Sequence, residues 1–175
     1  KITSLTFLFT DLKGSTALYE RVGDLAAFDL VRAHFHALLD IIASEGGAVV
    51  KTIGDAVMAT FVSPEQGLAA ALRMREAMDA LNERRGTKDL VLKIGIHEGP
   101  CLAVMLNERQ DYFGQTVNIA ARVQGLSVSQ AIHVTGPIIE TPAVAAMLDK
   151  ASIAPIRKHA ALRGIADKVV VFEIP

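Results

Sequence analysis

The chain has 175 residues, 51% of them apolar and 21% charged, which is enough for one domain with a real core and excludes a disordered chain. A formal net charge of -1 gives no global attraction to nucleic acid or to an anionic membrane, so any anion site has to be built locally. The single cysteine, Cys101, rules out an internal disulfide and a cysteine-based metal site, and no apolar run approaches the ~20 residues that span a bilayer. A reducing compartment is expected, the cytoplasm, for the domain by itself or within a larger or membrane-attached protein. The sequence begins at Lys1, directly on a strand, so 1–175 reads as a single domain cut from a longer protein whose regulatory part lies elsewhere.

Ile2 to Phe9 predicts an apolar strand that closes on Asp11 and leads into Lys13-Gly14-Ser15-Thr16, where Ser15 or Thr16 can cap a helix containing Leu18 and Val22. Asp24 can cap its continuation, with Phe28, Val31, Phe35, Leu38, Leu39 and Ile42 on one face and a stop at Gly46-Gly47. Val49 to Phe61 predicts a tight hairpin turning at Gly54-Asp55. Ser63-Pro64 starts the next helix, which buries Leu68, Ala71, Leu72, Met78 and Leu81 and runs to about Gly86. Leu90 to His97 alternates as a strand with one buried face, Glu98-Gly99-Pro100 turns it, and Cys101 to Leu106 returns. After a polar loop from Asn107 to Gln110 comes a helix from Gln115 to about Leu126. Short strands over 131–135 and 168–174 flank a helical excursion that begins at Gly136-Pro137. This order predicts an α+β sandwich, a ferredoxin-like mixed sheet with helices on one face.

Lys51 and Asp55 place an ammonium and a carboxylate where the hairpin reverses, and Asp11 at the end of another strand supplies a second carboxylate that can meet the first. Asn118 and Arg122, four apart, share one helix face about a turn beyond Asp111. Arginine donates in a planar fork suited to phosphate, an amide can orient a sugar, and a carboxylate can accept from an exocyclic amine. A solvated hairpin tip and a surface helix are the bland readings of the same residues.

Phe9-Thr10-Asp11-Leu12-Lys13-Gly14-Ser15-Thr16, Lys51-Thr52-Ile53-Gly54-Asp55-Ala56 and Asp111-Tyr112-Phe113-Gly114-Gln115-Thr116-Val117-Asn118-Ile119-Ala120-Ala121-Arg122 together resemble the catalytic domain of class III adenylyl/guanylyl cyclases. The resemblance covers nearly the whole chain. It implies a homodimer in which one subunit gives the metal carboxylates and the other gives the base-reading and phosphate-stabilising residues.

Residue by residue, the resemblance implies that Asp11 and Asp55, with the Leu12 carbonyl, bind two divalent cations, Mg2+ or Mn2+, and that 13–16 (Gly14, Ser15 and Thr16 among them) cradles the phosphates. It also implies that Lys51 and Asp111 select the purine, Asn118 orients the ribose, Arg122 steadies the pentavalent phosphate and Arg163 binds the terminal phosphates. A lysine donor beside an aspartate acceptor complements adenine and opposes guanine, so ATP is the expected substrate. The 13–16 turn is not a Walker A loop, because its Gly-Lys order is reversed. The short 100–111 segment leaves a small dimer arm.

Other features carry less. His34 and His36, two apart on a helix, are expected at the surface, His97 in the sheet turn and Cys101 in the core. No tryptophan and 5% aromatics argue against single-stranded RNA binding by a similar sheet. A guanylate cyclase, or a non-catalytic nucleotide-binding and dimerising module, is the alternative. The intact set Asp11, Asp55, Asn118 and Arg122 favours catalysis.

Overall fold

A computed structural model describes residues 1–127 and 130–175. In chain order the elements are β1 (Ile2–Leu12), α1 (Ser15–Val22), α2 (Asp24–Ser44), β2 (Ala48–Ile53), β3 (Ala56–Phe61), α3 (Pro64–Arg85) and β4 (Leu92–Leu106). There follow β5 (Arg109–Phe113), α4 (Gln115–Gly125), β6 (Ile132–Thr135), α5 (Gly136–Ile139), α6 (Pro142–Lys150), β7 (Ile156–Ala160) and β8 (Val169–Ile174). The sheet runs β2-β3-β1-β4-β6-β8-β7, with β5 paired to β4 outside that path. Only β4 and β6 pair in parallel among the described residues, so the sheet is mixed, as expected.

Alternation along β1 serves two cores. Leu8 and Leu12 turn to the side covered by α1, α2, α3, α5 and α6, where Leu18, Leu38, Met74, Ile138 and Leu148 pack with Ile94, Ile96 and Val134. Phe7 and Phe9 turn to the other side, where they pack with Met58 and with Ala120 of α4. Burying each large side chain contributes roughly 1.5–3 kcal/mol, so both faces are held firmly. The expected α+β sheet therefore has its helix layer on one face and α4 by itself on the other.

Capping explains why α3 begins and ends where it does. The Ser63 side chain accepts from Gln66 N, the Gln66 side-chain oxygen accepts from Ser63 N, Pro64 opens the first turn, and Gly86 closes the helix in the left-handed region at φ 63°.

Several local expectations are corrected. Neither Ser15, Thr16 nor Asp24 caps a helix: Gly14 at φ 70° precedes α1, Gly23 precedes α2, and no side chain caps either. The buried face of α2 is centred on Ala27, Leu30, Val31, His34, Leu38 and Ile41, which leaves Phe28 and Leu39 exposed and buries His34. Its Nδ1 bonds the Val31 carbonyl one turn back, while Nε2 is buried without a partner among the described residues.

Glu98-Gly99-Pro100 does not reverse the chain. β4 is a continuous 15-residue strand pairing with β1 from Leu92 to Leu102. A Cβ on Gly99 would lie 2.7 Å from Thr116 Oγ1, and the Pro100 carbonyl accepts from that hydroxyl at 2.6 Å. Both residues serve the close approach of α4. The reversal comes at Asn107 and Glu108, both at positive φ, and it makes residues 109–113 a strand whose first two residues, Arg109 and Gln110, were expected in a polar loop. β7, Ile-Arg-Lys-His-Ala, is an edge strand whose charges hide its strand character in the sequence. His97 lies within β4, bonded to Thr135 Oγ1.

Candidate active site

Val49 and Lys51 are two apart, so in a regular strand they would share a face. β2 instead pairs Val49 with Ala59 and Lys51 with Met58, with Val50 inserted as a bulge. Ala59 belongs to the helix-covered core and Met58 to the core beneath α4. The extra residue thus turns Lys51 to the α4 side, where its Nζ lies 2.9 Å from Asp111 Oδ2.

Asp111 is set from the opposite direction. The 107–108 turn lays β5 back along β4, and Tyr112 packs edge-to-face on Phe7 with ring centroids 5.5 Å apart. Asp111 Oδ1 accepts from Tyr112 N at 2.8 Å. The hydrogen bond from Lys51 holds the Asp111 carboxyl below the usual range, against the upward pull of burial.

β1 and β3 run antiparallel, with Thr10 opposite Val57. Asp11 is therefore one step past the last residue of β1 that pairs with β3, still opposite Lys93 of β4, and Asp55 precedes the start of β3 in the Gly54-Asp55 turn, where Gly54 takes φ 59°. Both carboxylates are half-buried at neighbouring strand ends. Asp11 Oδ1 accepts from Leu12 N at 3.0 Å. Two carboxylates and a backbone carbonyl suit a hard cation that completes its shell with phosphate and water. Among the described residues no cluster of three or more His, Cys, Asp or Glu side chains forms a self-sufficient metal site.

α4 is seated by glycines beneath it. A Cβ on Gly95 would be 2.2 Å from Gln124 N, so the helix backbone occupies the space of that side chain. Thr116, Ala120 and Val123 face the sheet, while Asn118 and Arg122 stand exposed on the outward side. The sequence suggested that Asp111 converges with Asn118 and Arg122; Asp111 is bonded to Lys51 instead. Among the described residues no hydrogen bond or ion pair joins Asn118 or Arg122 to Asp11, Asp55 or Asp111 within the chain.

Gly14, Ser15 and Thr16 form the turn into α1, whose first amides no side chain caps, an arrangement that suits an anion. Arg163 is exposed in the turn between β7 and β8, beside Gly164 at φ 80°.

The sequence profile of the adenylate and guanylate cyclase catalytic domain matches residues 1–172. The chain belongs to this family. The cyclase domain is 28% identical to an adenylate cyclase of Anabaena cylindrica over 97% of its own length, and 34% identical to adenylate cyclase 2 of Rhizobium meliloti over 69% of it. It spans 36% of the length of each of these relatives. Among solved structures it resembles the adenylyl cyclase CyaB from P. aeruginosa, with a TM-score of 0.84 at 25% identity, covering 100% of this chain and 95% of that one. Among the described residues of the cyclase domain, no helix is long and apolar enough to cross a membrane.

Four residues in or beside the site were missed in the sequence. The Val50 bulge has no sequence signal. Gly95 and Gly99 read as an ordinary strand position and a turn. His34 lies close enough to Asp55 to feel its charge: burial lowers the imidazole pKa, and the Asp55 carboxylate opposes that with a smaller upward pull.

Proposed function

We propose that this domain is an adenylate cyclase, which converts ATP to 3′,5′-cyclic AMP and pyrophosphate at sites shared between two copies of the chain. The observation that carries the reading is the Lys51–Asp111 pair at 2.9 Å. It presents an ammonium donor beside a carboxylate acceptor, the complement of the adenine ring nitrogen and amino group.

In this reading Lys51 and Asp111 hold the purine, and Asn118 orients the ribose so that its 3′ oxygen faces the α-phosphorus. That oxygen forms the new bond while the bond to the bridging oxygen breaks. Pyrophosphate departs with the electron pair, and the hydroxyl proton passes to solvent. Arg122 donates to the charge that develops on the α-phosphate, a contribution typically of ~3–4 kcal/mol. The 13–16 turn and Arg163 hold the outer phosphates. Asp11, Asp55 and the Leu12 carbonyl would hold two divalent cations, Mg2+ or Mn2+, which supply Lewis-acid polarisation of the α-phosphate and neutralise the leaving charge.

Two features support a shared site. Asn118 and Arg122 project outward, with no bond among the described residues to Asp11, Asp55 or Asp111 of their own chain. Ile2, Leu102 and Phe113 lie in register across β1, β4 and β5 as an exposed apolar row, the kind of surface that marks an interface.

The test is to incubate the purified protein with ATP or GTP and each metal, and to measure cyclic nucleotide and pyrophosphate. Cyclic AMP in excess is expected. A preference for GTP would make the domain a guanylate cyclase, and no product from either would make it a non-catalytic module.

A further inference from the structure

Residues 87–91 connect α3 to β4 outside any helix or strand, so their backbone groups need partners from elsewhere. Asn82, near the end of α3 and 7% exposed, supplies two. Its Nδ2 donates to the Leu90 carbonyl at 2.9 Å, and its Oδ1 accepts from Leu90 N at 3.0 Å. One side-chain amide thus does for Leu90 what a neighbouring strand would do. Thr87 Oγ1 accepts from Asp89 N at 3.1 Å, and the Asp89 carboxylate pairs with Arg21 of α1.

The next residue along meets the site. The Val91 carbonyl accepts from Lys13 N at 2.9 Å, one step beyond Leu12 and Leu92, the last pair of the β1–β4 ladder. The Lys13 N–H and the Leu12 carbonyl belong to one trans peptide unit, so they point in opposite directions. The bond to Val91 therefore turns the Leu12 carbonyl away from β4, to the edge of β1 that faces β3. Continuing the β1–β3 register two steps past Thr10 and Val57 sets Leu12 opposite Asp55. The carbonyl proposed as a cation ligand is thus aimed towards the turn that carries a proposed cation carboxylate, and Val91 holds it there.

From this we infer that Asn82 is a positioning residue for the cation end of the site. By fixing Leu90 it fixes Val91, which orients the Lys13 N–H and with it the Leu12 carbonyl and the 13–16 turn. Arg21 and Asp89 hold the same segment from α1. Groups that orient a metal ligand from behind typically change metal affinity or activity by about 10–100-fold when lost. The effect on cations rests on the function proposed above; the brace itself does not.

The test follows the amide that the brace holds. Asn82→Asp keeps an acceptor for Leu90 N but loses the donor to its carbonyl, and in this variant the Lys13 amide should exchange with deuterium at least about tenfold faster than in the wild type. With a non-hydrolysable ATP analogue present, the dissociation constant for Mn2+, read by electron paramagnetic resonance, should rise about tenfold. The ratio of kcat/KM for ATP over GTP should stay within about twofold, because Lys51 and Asp111 are not attached to this segment. Ala71→Gly, at a fully buried position of α3, should lower the melting temperature yet leave Lys13 exchange and Mn2+ affinity at their wild-type values. If Asn82→Asp does not fold, Asp89→Ala, which cuts only the outer tie to Arg21, should speed Lys13 exchange about threefold. Lys13 exchange that is unchanged in the brace variants, or that rises equally in Ala71→Gly, would overturn the inference, as would unaltered Mn2+ affinity in a variant whose Lys13 amide has been loosened. If the wild type binds no Mn2+ with nucleotide and forms no cyclic nucleotide, the proposed function fails, while exchange at Lys13 still decides whether Asn82 is the brace.

Discussion

Lys51 Nζ and Asp111 Oδ2 are 2.9 Å apart although 60 residues separate them in the chain. Two irregularities produce that contact: the bulge that turns Lys51 across the sheet, and the 107–108 reversal that lays β5 beside β4. In the proposed role the donor and acceptor are thus oriented before a base arrives, which would lower the ordering cost of binding.

The first prediction follows from this pair. Lys51→Met should reduce kcat/KM for ATP by about 100-fold, since a site built to hydrogen-bond its substrate discriminates strongly when one partner is lost. Lys51→Glu combined with Asp111→Ser or Asp111→Cys should erode the preference for ATP over GTP even if turnover of GTP stays poor. Steady-state kinetics with both nucleotides measure it, and an unchanged preference would remove these residues from base selection.

The second concerns the carboxylates. Asp11→Asn keeps an acceptor for Leu12 N, and Asp55→Asn keeps the shape of the turn, while each removes a charge from a half-buried strand end. Both should lose at least about 100-fold in turnover at saturating metal with melting temperature nearly unchanged, because relief of like-charge repulsion offsets the small local loss. Near-normal rates in either variant would contradict the two-cation reading.

Periodicity made α3 and α4 legible, and three short motifs pointed to Lys51, Asp55 and Asp111 before any fold was known. What stayed hidden has a physical reason in each case. Gly99 and Pro100 are turn residues by composition, but here they make room for Thr116 and accept its hydroxyl bond, a tertiary demand with no local signature. His34 reads as a surface residue because imidazole is polar; its burial comes from the way α2 packs on the sheet, with only Nδ1 bonded to its own helix backbone. Val50 looks like any strand valine, and only pairing with β3 exposes it as the extra residue that directs Lys51.

The seat of α4 gives a third prediction. Gly95→Ala would drive a methyl group into the backbone of Gln124, which cannot move without shifting the helix. It should destabilise the fold by roughly 1–3 kcal/mol or more and impair turnover. Gly125→Ala, on the same helix with open space around it, should be neutral or stabilise by about 0.4–1 kcal/mol. Thermal melts of the two variants provide the comparison; equal effects would mean that α4 does not rest on the sheet as described.

Buried histidines set a pH dependence. Burial lowers the His97 pKa to about 4, whereas an imidazole in the unfolded chain takes its proton near pH ~6.5. Between those values the unfolded state binds a proton that the folded state does not. Stability should therefore fall as pH drops from about 6.5 towards 4, by up to ~1.4 kcal/mol per pH unit for this group. His34 and His133, also lowered by burial, act with the same sign. His97→Gln should make the slope shallower by one proton's worth. Urea unfolding midpoints across this range measure it, and a protein that gains stability on acidification would contradict the assignment.

The last prediction tests whether a site is shared. Asp11 and Asp55 lie at strand ends, while Asn118 and Arg122 stand on the outward ridge of α4, and an isologous dimer would bring the ridge of one chain over the carboxylates of the other in two equivalent sites. Asp11→Ala and Arg122→Ala homodimers should each be nearly inactive. In a mixed dimer both lesions fall into the same site, and the second site receives Asp11 and Arg122 intact. With random mixing half of the dimers are hybrids, each with one of two sites working, so activity should recover to roughly a quarter of the wild-type value at equal total protein. Specific activity of the wild type should also fall on dilution as dimers dissociate by mass action. If hybrids verified by mass spectrometry show no recovery, each active site is built within a single chain.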